Sequence, residues 1–269
     1  MAISTRVLRD ADEIGSVLAD LVLSRYLSRA RPLFLLGCPG GRSLTSTYRT
    51  LAGLAARQAV DLSGLVIVMM DEYVVATEDG FAPVAADLPH SCRWFGREEI
   101  VGRLNAGRPA PAQVPAEHLW LPDPEHPDAY EDRIVAAGGV DLFLLASGAG
   151  DGHVAFNPPG TAADARTRVV ALPESTRRDN LVTFPSFGGR LSAVPEHGVT
   201  VGVATIRDLA AEVVMVLHGS DKALAARRLT SAAGYREDWP ATVCVECRSP
   251  TLLLDRAAAG ALPSAATTG

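Results

Sequence analysis

The chain has 269 residues, of which 48% are hydrophobic and 21% charged, with a net charge of -6 at neutral pH. That length and apolar share suffice to bury a full core as one large unit or two small ones. The acidic balance and the lack of a basic tract exclude a binder of nucleic-acid phosphates, and no apolar run is long enough to span a bilayer. The opening stretch MAISTRVLRDADEIG lacks the apolar core of a secretion signal, so a cytoplasmic location is expected.

In chain order, Asp10 to about Arg29 carries apolar residues at helical spacing and reads as an amphipathic helix. Leu33–Leu36 is a short apolar strand feeding a glycine-rich turn, Gly37-Cys38-Pro39-Gly40-Gly41-Arg42-Ser43, after which Ser43 is placed to cap a helix over about Leu44–Gln58. Leu65–Met70 is a second strand ending at Asp71-Glu72-Tyr73. Val74–Pro124 is rich in proline, glycine and charge and is expected to be mostly loop with short helices. Ala129–Ala137 reads as helix and Asp141–Ala146 as a buried parallel strand. Beyond it, Arg168–Ala171 reads as strand, Pro173–Asn180 as a short helix and Val199–Val203 as apolar and β-branched. Thr205 opens a helix, Glu212–Leu217 is a strand, and a helix runs on from Lys222 to about Thr230. Pro240–Cys247 is ambiguous, and Thr251–Leu254 suits a last strand. Alternating strands and helices predict an α/β fold with helices on both faces of a mostly parallel sheet. With no repeat and no linker visible, residues 1–260 are expected to form one domain and 261–269 a disordered tail.

Chemistry concentrates in Asp141–Gly160, DLFLLASGAGDGHVAFNPPG. An apolar run breaks into glycines, which let the backbone turn sharply and approach a ligand, and a carboxylate and an imidazole follow at Asp151 and His153. Open α/β sheets place their active sites just past the carboxyl ends of strands. Four cysteines in a chain this long do not make a disulfide framework; Cys244 and Cys247 form a C-x-x-C pair without the second pair or the thioredoxin-like context that a metal or redox role needs. Lys222 is the only lysine among many arginines, and a flexible point charge is not interchangeable with a planar fork.

These residues carry a family resemblance. LGCPGGRSLTSTYRTL, MMDEYV, GAGDGHVAFNPPG with ARTRVVAL, STRRDN, VPEHGVTVGVATIRD and VLHGSDKA resemble, in order, six stations of the glucosamine-6-phosphate deaminases, over roughly Gly37 to Lys222. The wider superfamily includes 6-phosphogluconolactonases, which share the D-G-H element. The resemblance implies a three-layer α/β/α fold with a mostly parallel doubly wound sheet, shared with ribose-5-phosphate isomerase. It also implies an enzyme that opens an amino-sugar phosphate ring, moves a proton from C2 to C1 and releases ammonia to leave a ketose phosphate, with no cofactor and no metal. Family deaminases are often oligomers, so a homo-oligomer is a possible state of this chain.

Carried over residue by residue, Asp71 matches the proton shuttle and His153 the ring-opening acid/base, with Asp151 orienting the histidine or activating water. Gly40, Gly41, Arg42, Ser43, Arg177 and Lys222 are the expected phosphate binders, with Arg168 nearby. The chain departs from the family pattern at Pro158, where a glutamate usually serves as the histidine's second carboxylate partner, and at Arg42, where the family has a small residue. Proline can neither ionise nor accept a side-chain hydrogen bond. Its presence leaves four readings: a slow deaminase, a different substrate, replacement by another acid such as Glu72, or a sugar-phosphate binder with weakened catalysis. It also favours the competing reading of a lactonase, in which His153 activates water and Asp71 has no necessary role.

Overall fold

A computed structural model describes residues 3–262. The chain runs β1 (Ser4–Leu8), α1 (Ala11–Leu27), β2 (Phe34–Cys38), α2 (Thr45–Arg57), β3 (Leu65–Met69), β4 (Asp71–Ala76), β5 (Phe81–Pro83) and α3 (Cys92–Phe95). A π-helical turn (Gly96–Gly102) joins α3 to α4 (Arg103–Asn105), followed by β6 (Leu119–Trp120), α5 (Pro127–Ala136), β7 (Leu142–Ala146), β8 (Arg168–Ala171) and α6 (Glu174–Thr183). The remainder is β9 (His197–Thr200), α7 (Val203–Leu209), β10 (Val213–Leu217), α8 (Ala223–Ser231), β11 (Pro250–Asp255) and α9 (Arg256–Ala259). The ambiguous Pro240–Cys247 stretch is a 3-10 helix over Pro240–Glu246. From residue 263 onward, the expected tail lies outside the described residues.

Seven strands form one parallel sheet in the order β1-β11-β10-β7-β2-β3-β6. Its inner strands are the continuous apolar runs FLLGC, LVIVM, LFLLA and VVMVL, the composition of strands covered on both faces. Successive side chains point to opposite faces. Leu35, Val66, Val68, Phe143, Leu145 and Met215 therefore join α5, α7 and α8 in one core. Phe34, Leu36, Ile67, Met69, Leu144 and Val216 join α1, α2 and the helix that starts at Cys92 in the other. The sequence thus sorts one sheet between two helical layers, giving the three-layer α/β/α architecture.

A second sheet was not anticipated. Four strands pair antiparallel in the order β5-β4-β9-β8, within a stretch expected to be loop and across to residues 168–200. β4 starts two residues after β3 ends, so the chain leaves the parallel sheet at Met70 and enters the small one at Asp71. Tyr73, Phe156 and Phe187 pack a separate apolar cluster beneath it. This change of sheet fixes where the first candidate acid sits.

Candidate active site

From the centre of the sheet the chain winds outward twice, through β2, β3 and β6 on one side and β7, β10 and β11 on the other. The reversal falls between β2 and β7, the place where open α/β sheets leave a crevice at their carboxyl ends. A cavity of about 640 Å³ lies there. Its walls come from the loop after β2, the start of β4, the loop after β7, the turn after β10, and the sides of α3 and α6. Gly40, Gly41, Arg42, Ser43, Asp71, His153 and Lys222 all face this one space. Asp151 stands directly behind the imidazole.

Asp71 is 5% exposed, and its Oδ1 accepts a hydrogen bond from the Cys92 thiol at 3.2 Å. Burial pushes its carboxyl up to about 7; the thiol and the positive side of His153 pull the other way, and neighbouring Glu72 adds to the rise. A carboxyl poised near neutrality can both take and return a proton. Glu72, by contrast, is spoken for. Its carboxylate accepts from Tyr73 N–H, Cys92 N–H, Arg93 N–H and Ser91 Oγ at 2.8–2.9 Å, which fastens the start of α3 to β4. The idea that Glu72 replaces a missing acid in the cavity is therefore corrected: it anchors the helix that carries Cys92.

His153 follows a turn that only glycine permits. A Cβ on Gly148 would collide with the Asp151 carboxylate and the His153 ring. The imidazole Nδ1 lies 2.7 Å from Asp151 Oδ1, and Asp151 Oδ2 accepts from Ser175 Oγ and Thr176 Oγ1, both at 2.9 Å. Burial pushes Asp151 up, but the hydrogen bond and charge of His153, with the Thr176 hydroxyl, outweigh it and hold the carboxyl well below the usual range. A carboxylate that stays ionised fixes the ring's orientation. Asn157 locks the rest of this loop, donating to the carbonyls of Val154 and Val201 and accepting from Arg168. Arg168 therefore secures the loop and does not line the cavity.

At the opposite wall Gly41 takes a left-handed φ of 93° and a 3-10 turn, Arg42–Leu44, leads into α2. The start of a helix and its free N–H groups suit an anion. Lys222 Nζ donates to the Ser147 carbonyl at 2.8 Å; burial lowers its pKa, and Asp179 and Asp221 oppose that fall while Arg42 adds to it. Arg42 and Lys222 thus feel each other's charge across the glycine turn.

Arg177 does not join them. Its Nη2 donates to the carbonyls of Leu191 and Val194 at 2.8 and 2.9 Å, its Nη1 lies 3.5 Å from Glu196, and it does not line the cavity. Its assignment to phosphate is corrected: it staples α6 to the following 3-10 segment. The same helix instead presents Asp179, Asn180 and Thr183 to the cavity, with Thr176 behind Asp151. Helical spacing could have revealed this, since 176, 179, 180 and 183 share a face that 177 and 178 do not. Cys92 gave no sequence signal, because it is 21 residues from the acid it touches.

Asp151, His153 and Asp179 each bring an oxygen or nitrogen within 4.8 Å of one another. Both Asp151 oxygens and the Nδ1 of His153 already hold protein partners. Cys244 and Cys247 are free and buried, with thiols pushed up by burial, so they are packing residues.

Residues 9–253 match the model of the glucosamine-6-phosphate isomerases/6-phosphogluconolactonase family. The chain belongs to that family. It is 36% identical over 262 residues to a glucosamine-6-phosphate deaminase of Beutenbergia cavernae, covering 95% of this chain and 91% of that one. Among solved structures, a monomeric glucosamine-6-phosphate deaminase superposes with a TM-score of 0.79 at 26% identity, covering 96% of this chain and all (100%) of that one. A 6-phosphogluconolactonase of Leishmania guyanensis superposes at 0.66 with 17% identity, covering 98% and 100%, which shows the shared fold. Among the described residues no helix is long and apolar enough to cross a membrane.

Proposed function

We propose that the protein is a glucosamine-6-phosphate deaminase-like enzyme that converts an amino-sugar phosphate to a ketose phosphate with release of ammonia. The observation that carries this reading is that Asp71 and His153 share one cavity, which also holds Lys222 and the glycine turn. In this scheme the substrate's phosphate lies against Gly40, Gly41, Arg42, Ser43 and Lys222. His153, held by Asp151, takes the proton from the anomeric hydroxyl and delivers it to the ring oxygen, so that the C1–O5 bond breaks and C1 becomes a carbonyl. Asp71 then removes the C2 proton as O1 gains one, giving an enolamine, and returns its proton to C1 as the nitrogen gives one up, leaving a C1 hydroxymethyl group and an imine at C2. Water adds to that imine and ammonia departs. No step calls for a cofactor. A setting in the cytoplasm suits four free, buried cysteines.

The second reading is hydrolysis of a sugar-phosphate lactone, favoured by Pro158 and needing only the Asp151–His153 pair. One experiment separates the two. Glucosamine 6-phosphate is incubated with the protein in deuterated water, and ammonia and label at C1 are followed. Turnover abolished by Asp71→Asn supports the deaminase. Lactone turnover that survives Asp71→Asn, without ammonia release from the amino sugar, replaces it with the lactonase.

A further inference from the structure

Asp179 sits on α6 and faces the cavity, yet no step above uses it. Its Oδ2 accepts the Ala149 N–H at 3.2 Å, which ties the carboxylate to the loop that carries the histidine. An oxygen of this carboxylate lies within 4.8 Å of both Asp151 and the His153 ring. Position 158, on the far end of the same loop, is proline and does not line the cavity. The charged groups around His153 are Asp151 on its own loop, Asp71 from β4, Asp179 from α6, Arg42 after β2, and Asp221 and Lys222 after β10. Of the carboxylates, Asp151 is committed to Nδ1 and its hydroxyl partners, Asp71 is reserved for C1 and C2, and Asp221 shares the turn of Lys222. Asp179 is left facing both the imidazole and the ammonium.

We propose that Asp179 is a positioning residue for His153, supplying from α6 the second carboxylate that favours the charged imidazole during ring opening. The inference rests on the deaminase reading of the cavity. Ring opening makes the histidine carry a proton between two substrate oxygens: the O1–H bond breaks, the imidazole becomes cationic, the C1–O5 bond breaks and an O5–H bond forms. A second negative charge within 4–6 Å favours that cation. Because Asp179 reaches the site from a helix and not from the loop after His153, the proline at 158 is tolerated.

The test compares wild type, Asp179→Asn and Asp179→Glu, each as the full chain. Asparagine keeps an oxygen for the Ala149 N–H, so the loop stays tied while the charge is lost. The charged fraction of the His153 imidazole is read from its ¹⁵N shifts at fixed pH near neutrality, in protein without substrate. Ammonia release from glucosamine 6-phosphate gives kcat and KM. We expect less charged imidazole in Asp179→Asn, a kcat about tenfold lower, as one unit of acid strength represents, with KM changed less, and partial recovery in Asp179→Glu. Unchanged imidazole shifts, or a loss confined to KM, overturn the proposal and leave Asp179 acting on Lys222 alone. If the wild type releases no ammonia the deaminase reading fails, and the ¹⁵N comparison still decides whether Asp179 charges the histidine.

Discussion

The start of β4 and the loop after β7 each bring an aspartate to the same candidate site, and the two are tuned in opposite directions. Asp71 is buried with a thiol for its polar partner, and its carboxyl rises to about 7. Asp151 is also withdrawn from water, but an imidazole and two hydroxyls surround it and its carboxyl is held low. Side-chain chemistry is identical; partners decide the role. A carboxyl near neutrality exchanges protons, whereas one held ionised orients and stabilises its neighbour.

The largest effect expected from breaking this contrast is at Asp71. Asp71→Asn removes the exchanging group and should lower kcat by about 10²–10⁴-fold, the range of a positioned acid/base. The same change should stabilise the fold. In the unfolded chain Asp71 ionises near 3.8, whereas in the folded protein it holds its proton up to about 7. Between those values the folded state binds more protons, so Asp71 costs stability progressively as pH rises. The gain from Asp71→Asn should be absent below pH 3.8 and complete above pH 7, reaching at most about 4 kcal/mol. Chemical denaturation at two pH values measures it.

Asp151→Ala should lower kcat by about 10²–10³-fold and, in contrast to Asp71→Asn, lower stability at neutral pH, because it removes a carboxylate that its partners hold ionised, frees His153 and strands two hydroxyls. Lys222→Met acts on the other wall and should raise KM for the sugar phosphate by about tenfold or more, the worth of one charge-assisted hydrogen bond, while kcat changes less. Arg177→Met should leave KM within about twofold and lower stability by about 1–3 kcal/mol, the cost of unpairing buried carbonyls. A KM loss in Arg177→Met equal to that in Lys222→Met would contradict the division drawn between them.

What the sequence made legible follows from how each element is stabilised. The inner strands are apolar throughout, so FLLGC, LVIVM, LFLLA and VVMVL announce themselves. β1 is a half-exposed edge strand of five mixed residues and carries no such signal. The antiparallel sheet depends on pairing β4 with β9, more than 120 residues away in sequence, which no local pattern encodes. In the candidate site, Asp71, Asp151, His153, Lys222 and the Gly40–Ser43 turn each follow a strand end, and the family resemblance singled them out. Within STRRDN, residue type pointed to Arg177, whereas helical phase selects Asp179 and Asn180. The cations were noticed for their charge, but the turn of the helix decides which side chain reaches the cavity.

The contrast between the two aspartates is open to one direct measurement, a ¹³C NMR titration of the aspartate side-chain carboxyls in the folded protein, assigned through Asp71→Asn and Asp151→Asn. The account predicts that the Asp71 signal titrates near pH 7 while Asp151 stays ionised from pH 4 to pH 9. Two carboxyls that both titrate at an ordinary aspartate value, about 3.9, would contradict it.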